Sequence, residues 1–151
     1  MWKKYLKKIE KEMKEFGDVR NEGASPASIA LVQKAYEEAN GVSLPQDYLE
    51  LLKEVNGLEY NGGIFYGVDE EFLETSPQQS ISGVLDMNLV WHEEDYMTDY
   101  IFLGENDISW FVYHPSDGKY YMLDNPSGEL ISTYTDAKTM LGQLLKDCYE
   151  M

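Results

Sequence analysis

Trp2, Tyr5, Leu6, Ile9, Met13 and Phe16 recur at intervals of three and four residues, with lysine at most of the positions between them. That spacing lays the apolar side chains along one stripe of an α-helix. It predicts a helix over residues 1–16 that packs on the rest of the chain and turns its lysines outward. A polar stretch, 17–24, leads to "SPASIALVQKAYEEANG", where Ser25 suits an N-cap, Pro26 suits the first helical position and Asn40-Gly41 is a stop. Ile29, Val32, Tyr36 and Ala39 form the predicted inward stripe of this second helix. "SLPQDYLELLKEVNG" repeats the grammar: Pro45 opens a helix, Tyr48, Leu51, Leu52 and Val55 face inward, and Asn56-Gly57 ends it.

From Leu58 the period changes toward strands. "LEYNGGIFYGV" predicts a hairpin around Asn61-Gly62-Gly63. "VLDMNLVWHEED", Val84 to Asp95, sets Leu85, Asn88, Leu89 and His92 at helical spacing and predicts a short helix. "YIFLGE", "ISWFVYHP", "KYYMLD" and "ELISTY" are separated by turn-forming residues at 105–107, 115–118 and 125–128, which predicts an antiparallel meander. "TDAKTMLGQLLKDCYEM" begins at an N-cap, Thr135 or Asp136, and places Met140, Leu141, Leu144, Leu145 and Cys148 on one helical face. The expected fold is therefore α+β: N-terminal helices, an antiparallel sheet of about five or six strands, and a C-terminal helix, with helices covering one sheet face. The strands are rich in tyrosine, so the other face is expected to be partly open and aromatic, as binding surfaces tend to be.

A chain of 151 residues is the size of one ordinary domain, so a single domain over 1–151 is expected. Charge changes the picture more than size does. Against 12 Lys and Arg there are 28 Asp and Glu, a net charge of −16, and the signs are segregated. Six lysines and two glutamates fall in the first fourteen residues, leaving that segment near +4 and the remainder near −20. Between Lys53 and Lys119 there is no Lys or Arg, while fourteen Asp and Glu occur there. Such a field repels nucleic acid and anionic membrane and attracts cationic partners from a distance. Cys148 is the single cysteine, which excludes a disulfide framework and fits a reducing compartment. The N-terminus is charged from Lys3 onward, without the apolar core of a secretory signal, and no apolar run approaches the ~18 residues of a membrane span. A soluble, cytoplasmic protein is expected.

The densest chemistry lies in "WHEEDYMTDY", Trp91 to Tyr100. A zinc-protease HExxH pattern needs a second histidine one helical turn after His92, and Tyr96 stands there. Two histidines and one cysteine in the whole chain do not make an ordinary structural zinc site. Fourteen acids in the basic-free run supply carboxylate pairs by chance, so pairing alone does not signal glycoside hydrolysis. GxSxG, GxGxxG, GxxxxGK[ST] and calcium-loop patterns are absent, and Cys148 falls on the inward face of its helix. No catalytic residue, cofactor or metal is expected. An acidic, aromatic surface suits a basic protein partner instead, since carboxylates can occupy the places where that partner holds phosphates. The candidate partner-binding residues are Asp69, Glu70, Glu71, Glu93, Glu94, Asp95, Asp99, Glu105 and Asp107. Trp91 is expected to pack inward, with Glu93, Glu94, Asp95 and Asp99 facing water.

"GVSLPQDYLELLKEVNGLEYNGGIFYGV", with Leu-Pro, an aromatic three residues after the proline, a Leu-Leu pair, Asn-Gly and a glycine-containing strand, resembles the signature of the SUKH superfamily. The likeness is clearest over residues 25–68 and continues through "FLGE", "WFVY" and the last helix; the YrhA-like branch is nearest. The superfamily is named in part for a fungal regulator of cell-wall synthesis and includes many bacterial immunity proteins. The resemblance implies a non-enzymatic α+β domain that binds and neutralises a toxin delivered by neighbouring cells, often a nuclease or deaminase. A regulatory or scaffold domain without a toxin, as in the fungal members, is the alternative it implies, and an enzyme with a concealed site is a third reading. Leu44, Pro45, Tyr48, Leu51, Leu52, Asn56 and Gly57 match as structural residues, and the resemblance brings no catalytic residues with it. The lysine-rich first helix departs from the pattern.

Overall fold

Six strands run in chain order across one antiparallel sheet: β1 (Leu58–Tyr60), β2 (Gly63–Phe65), β3 (Ile101–Glu105), β4 (Ser109–His114), β5 (Lys119–Asp124) and β6 (Leu130–Tyr134). The computed structural model describes residues 1–150. Five helices accompany the sheet: α1 (Trp2–Glu15), α2 (Pro26–Asn40), α3 (Gln46–Leu52), α4 (Val84–Trp91) and α5 (Ala137–Glu150). The fold is α+β, as the sequence predicts. Among the described residues no helix is long and apolar enough to cross a membrane.

Local chemistry accounts for the boundaries. The β1–β2 hairpin closes through Asn61 and Gly62, both at positive φ (48° and 81°), the geometry of the tight hairpin turn that Asn-Gly favours. Ser25 caps α2 by accepting from the Ser28 N–H at 3.2 Å, and Asp136 caps α5 by accepting from the Thr139 N–H at 2.8 Å.

The two sheet faces are covered differently. Gly104 lies under α5, where a Cβ would stand 2.7 Å from Leu144 Cδ1, and Tyr120 of β5 donates from its hydroxyl to Asp47 of α3. Asp47 also accepts from the Ala137 N–H at 2.7 Å, so one carboxylate joins α3, β5 and the start of α5. On the opposite face Phe102 of β3 and Trp110 of β4 meet Trp91 of α4, at ring separations of 5.8 and 5.4 Å. Helices therefore lie against both faces, which corrects the expectation of one helical face. What stays half-exposed beside α4 is an aromatic stack: Tyr100 and His114 are 5.4 Å apart, His114 and Tyr121 5.5 Å. A single apolar cluster runs from Trp2 through the strands to Cys148.

Four departures from the predicted pattern have identifiable causes. Phe16 lies beyond the end of α1 and is 81% exposed, because the chain turns at Gly17 and the Asp18 N–H returns to the Met13 carbonyl. Ala39 is exposed at the open end of α2. α3 stops at Leu52 rather than at Asn56-Gly57. The Leu52 carbonyl is taken by the Ala24 N–H at 2.7 Å, and the Asn56 N–H goes to Glu22, so the helical bond between 52 and 56 is replaced by bonds to the loop before α2. On α4 the inward positions are Val84, Asn88 and Trp91, while Leu89 is 71% exposed.

Candidate functional site

The acidic middle of the chain is organised around α4. Its N-cap position is Gly83, which has no side chain to satisfy the first free N–H groups. Asp69 supplies the cap from the segment that follows β2: its carboxylate accepts from the Leu85 N–H at 2.9 Å and the Asp86 N–H at 3.0 Å. A Cβ at residue 83 would fall 2.1 Å from Asp69 Oδ2, so glycine is required for the approach. Asp69 is 2% exposed, so this candidate partner-binding acid is turned inward to the helix end and not offered to a partner. Burial raises its pKa first, Asp86 adds to the rise, and the two backbone donors oppose it.

The inward stripe of α4 is polar at its centre. Asn88 Oδ1 accepts from the Phe102 N–H at 2.7 Å, and its Nδ2 donates to the Phe102 carbonyl at 2.8 Å and to the Val84 carbonyl at 2.7 Å. β2 pairs with β3 only at Glu105 and Gly104, leaving Phe102 beyond the end of that ladder. The Asn88 amide stands in for the missing strand.

One turn further, the Trp91 indole N–H donates to the Tyr66 hydroxyl at 2.8 Å, and the Glu105 carboxylate is close enough for Tyr66 to affect its titration. Glu105 is half-buried, and burial raises its pKa, aided by Asp107 and Glu59 and opposed by the Tyr66 hydroxyl. His92, at the helix end, donates from Nε2 to the Tyr100 carbonyl at 2.7 Å. That nitrogen is thereby committed to a backbone acceptor.

The other candidate acids fall into three places. Glu70 and Glu71 lie in a short 3-10 turn near the start of α4, exposed, with Glu70 accepting from the Ile81 N–H. Glu93, Glu94, Asp95 and Asp99 are exposed in the segment that follows α4. Glu105 and Asp107 flank the β3–β4 turn, and Asp107 approaches Gly62 of the first hairpin. Among the described residues none of the nine forms an ion pair with Lys or Arg. Glu93 and Glu94 sit at the negative end of the α4 dipole, where a carboxylate is electrostatically unfavourable. Unneutralised charge in that position is poorly explained by stability and well suited to an external cation.

For an internal cation, Asp69, Glu71 and Asp86 have ligand oxygens within 4.8 Å of one another, a set of hard oxygen donors without nitrogen or sulfur. Asp69 already spends its oxygens on the α4 cap. Cys148, the only thiol, is buried, donates to the Leu145 carbonyl at 3.3 Å, and has its pKa pushed up to about 11 by burial. It is not poised as a nucleophile.

Sequence reading did not find Asn88, Tyr66 or the aromatic stack as parts of the site. Asn88 did carry a signal, a polar residue on the predicted inward stripe of a helix, which must find partners when buried. Tyr66 carried none, since its partners Trp91 and Glu105 are distant in sequence.

The chain has no match among curated proteins. The model of the SMI1 / KNR4 family (SUKH-1) matches residues 23–143, from the loop before α2 into α5, and leaves α1 outside the matched span. The match agrees with the superfamily named by the Leu-Pro to Asn-Gly signature and does not reach the YrhA-like branch. With that span covering most of the chain and the α+β order intact, the protein belongs to the SMI1 / KNR4 family (SUKH-1).

Proposed function

We propose that the protein is a bacterial immunity protein that binds a cognate toxin of nuclease or deaminase type and masks its active or nucleic-acid-binding surface. The observation that carries this reading is the basic-free run from 54 to 118, in which Glu70, Glu71, Glu93, Glu94, Asp95, Asp99 and Asp107 are exposed and, among the described residues, form no ion pair. Family membership supports a protein-binding role, and the superfamily includes immunity proteins. The binding residues are Glu70, Glu71, Glu93, Glu94, Asp95, Asp99, Glu105 and Asp107, and the partner is a protein with a basic surface. Charge of this kind steers encounter, while half-exposed rings such as Tyr100 and Tyr121 supply area at the contact. The protein acts in the cytoplasm without enzymatic activity, as one unit in which α1 is a cover packed on the domain.

Purified protein mixed with the toxin domain encoded beside it is the direct test. The expected result is a complex whose association slows steeply between roughly 50 and 500 mM salt. A tight complex indifferent to salt would remove the electrostatic mechanism, and failure to bind any adjacent toxin would favour the regulatory or scaffold role within the same superfamily.

A further inference from the structure

Beside the acidic segment lies a cleft of about 440 Å³ between the C-terminal end of α2 and the loops around residues 98–101 and 115–116. Its size is at the small end of the roughly 300–1,000 Å³ typical of ligand clefts, room for one long side chain rather than a folded ligand. Tyr36, Asn40, Val42, His92, Asp99 and Tyr100 are among its lining residues.

Three features of this lining favour positive charge. α2 ends here, and its last turn contains Glu37 and Glu38 and no basic residue, so the negative end of the helix dipole is uncompensated. Asp99 is exposed at the mouth and has no ion-pair partner among the described residues. Tyr36, fully buried, has a hydroxyl without any hydrogen-bond partner, an unusual state for a polar group at that depth. Tyr100 adds an aromatic ring, already set edge-on to Tyr121 at 6.2 Å. Carbonyl oxygens at the end of α2, the Asp99 carboxylate and the Tyr100 ring together match a planar cation with several donors.

We propose that this cleft receives a single arginine side chain of the partner, with Asp99 as its counter-ion and Tyr100 as its stacking surface. The proposal rests on the reading of a basic protein partner. It adds a defined pocket to what would otherwise be diffuse attraction. Arginine is favoured over lysine because a guanidinium can stack on a ring and donate in several directions at once, whereas an ammonium is a compact point charge.

The test uses N-acetyl-arginine amide as the probe, titrated into the isotope-labelled full chain and followed by amide chemical shifts, with N-acetyl-citrulline amide as the uncharged control. The expected result is saturable shifts confined to residues 39–42, 98–101 and 116, with no response to citrulline. Asp99→Asn should weaken the probe by about tenfold, the size of one charge-assisted hydrogen bond, while Glu129→Gln on the exposed β5–β6 turn should leave it unchanged. Shifts scattered over all acidic surfaces, or equal binding of citrulline, would overturn the arginine pocket. That failure is distinct from failure of the basic-partner reading, which is measured separately by the salt dependence of the toxin complex.

Discussion

Asn88 holds the main chain of Phe102 at both of its polar groups, accepting from the N–H at 2.7 Å and donating to the carbonyl at 2.8 Å. A helix side chain thus completes a strand where the neighbouring strand has ended. Leaving two buried backbone groups unpaired costs about 1–3 kcal/mol each. Asn88→Ala is therefore expected to destabilise the fold by about 2–4 kcal/mol, read as a lower urea midpoint with an unchanged slope. A loss below about 0.5 kcal/mol would mean that water or a shifted β2 replaces the amide.

Replacing Glu93, Glu94, Asp95 and Asp99 together with amides is expected to slow association with a basic toxin by about tenfold or more at low salt and to flatten the salt dependence. Dissociation should change less, because rim charges act chiefly on encounter. Stopped-flow measurement at several salt concentrations separates the two rates, and unchanged association would take this segment out of the interface. The folded state itself should not suffer, since none of the four carboxylates is buried or ion-paired among the described residues.

The pH dependence of stability should run opposite to ordinary acid lability. Asp69, Glu105 and Asp147 all have raised pKa values, each chiefly through burial. Their unfolded values are near 3.9 for Asp and 4.3 for Glu, so the folded state binds these protons more tightly. The resulting stability is fully present below about pH 4 and is lost as pH rises through the folded values. Thermal unfolding is expected at higher temperature just above pH 4 than at pH 8, and Glu105→Gln should reduce that difference. Below about pH 4 the exposed Glu50, Asp117 and Asp136, whose pKa values are lowered by hydrogen bonds, oppose the trend.

Cys148 is expected to resist thiol reagents at neutral pH while the protein is folded and to react at once in denaturant. Its burial and its pKa of about 11 leave almost no accessible thiolate. Gly63→Ala tests the same packing from the sheet side, because the new Cβ would come 2.6 Å from Cys148 Cβ and force α5 away. Faster reaction of Cys148 in that variant is the expected outcome.

Features written in local chemistry were legible in the sequence: the cap and proline that open α2, the Asn-Gly turn after β1, the meander, and the inward stripe of α5. What could not be read depended on groups brought together from far along the chain. The end of α3 is decided by Ala24 and Glu22, which take over bonds that the helix would otherwise keep. Asp69 looked like one more acid beside Glu70 and Glu71, yet it is buried because a helix beginning at Val84 lacks a capping side chain of its own. Leu89 and Asn88 illustrate the same limit, since periodicity identifies a stripe but not which polar member will be used to bind a strand.

The arrangement of α1 has an orientational consequence. Trp2 packs against Gly142 of α5, α5 lies over Gly104 on one sheet face, and Trp91 of α4 covers Trp110 on the other. The exposed lysines of α1 and the carboxylates that follow α4 are thus separated across the thickness of the molecule. Such a molecule has an electric dipole as well as a net charge. In the field of a cationic partner it experiences a torque, and it turns its acidic end forward before the two surfaces touch.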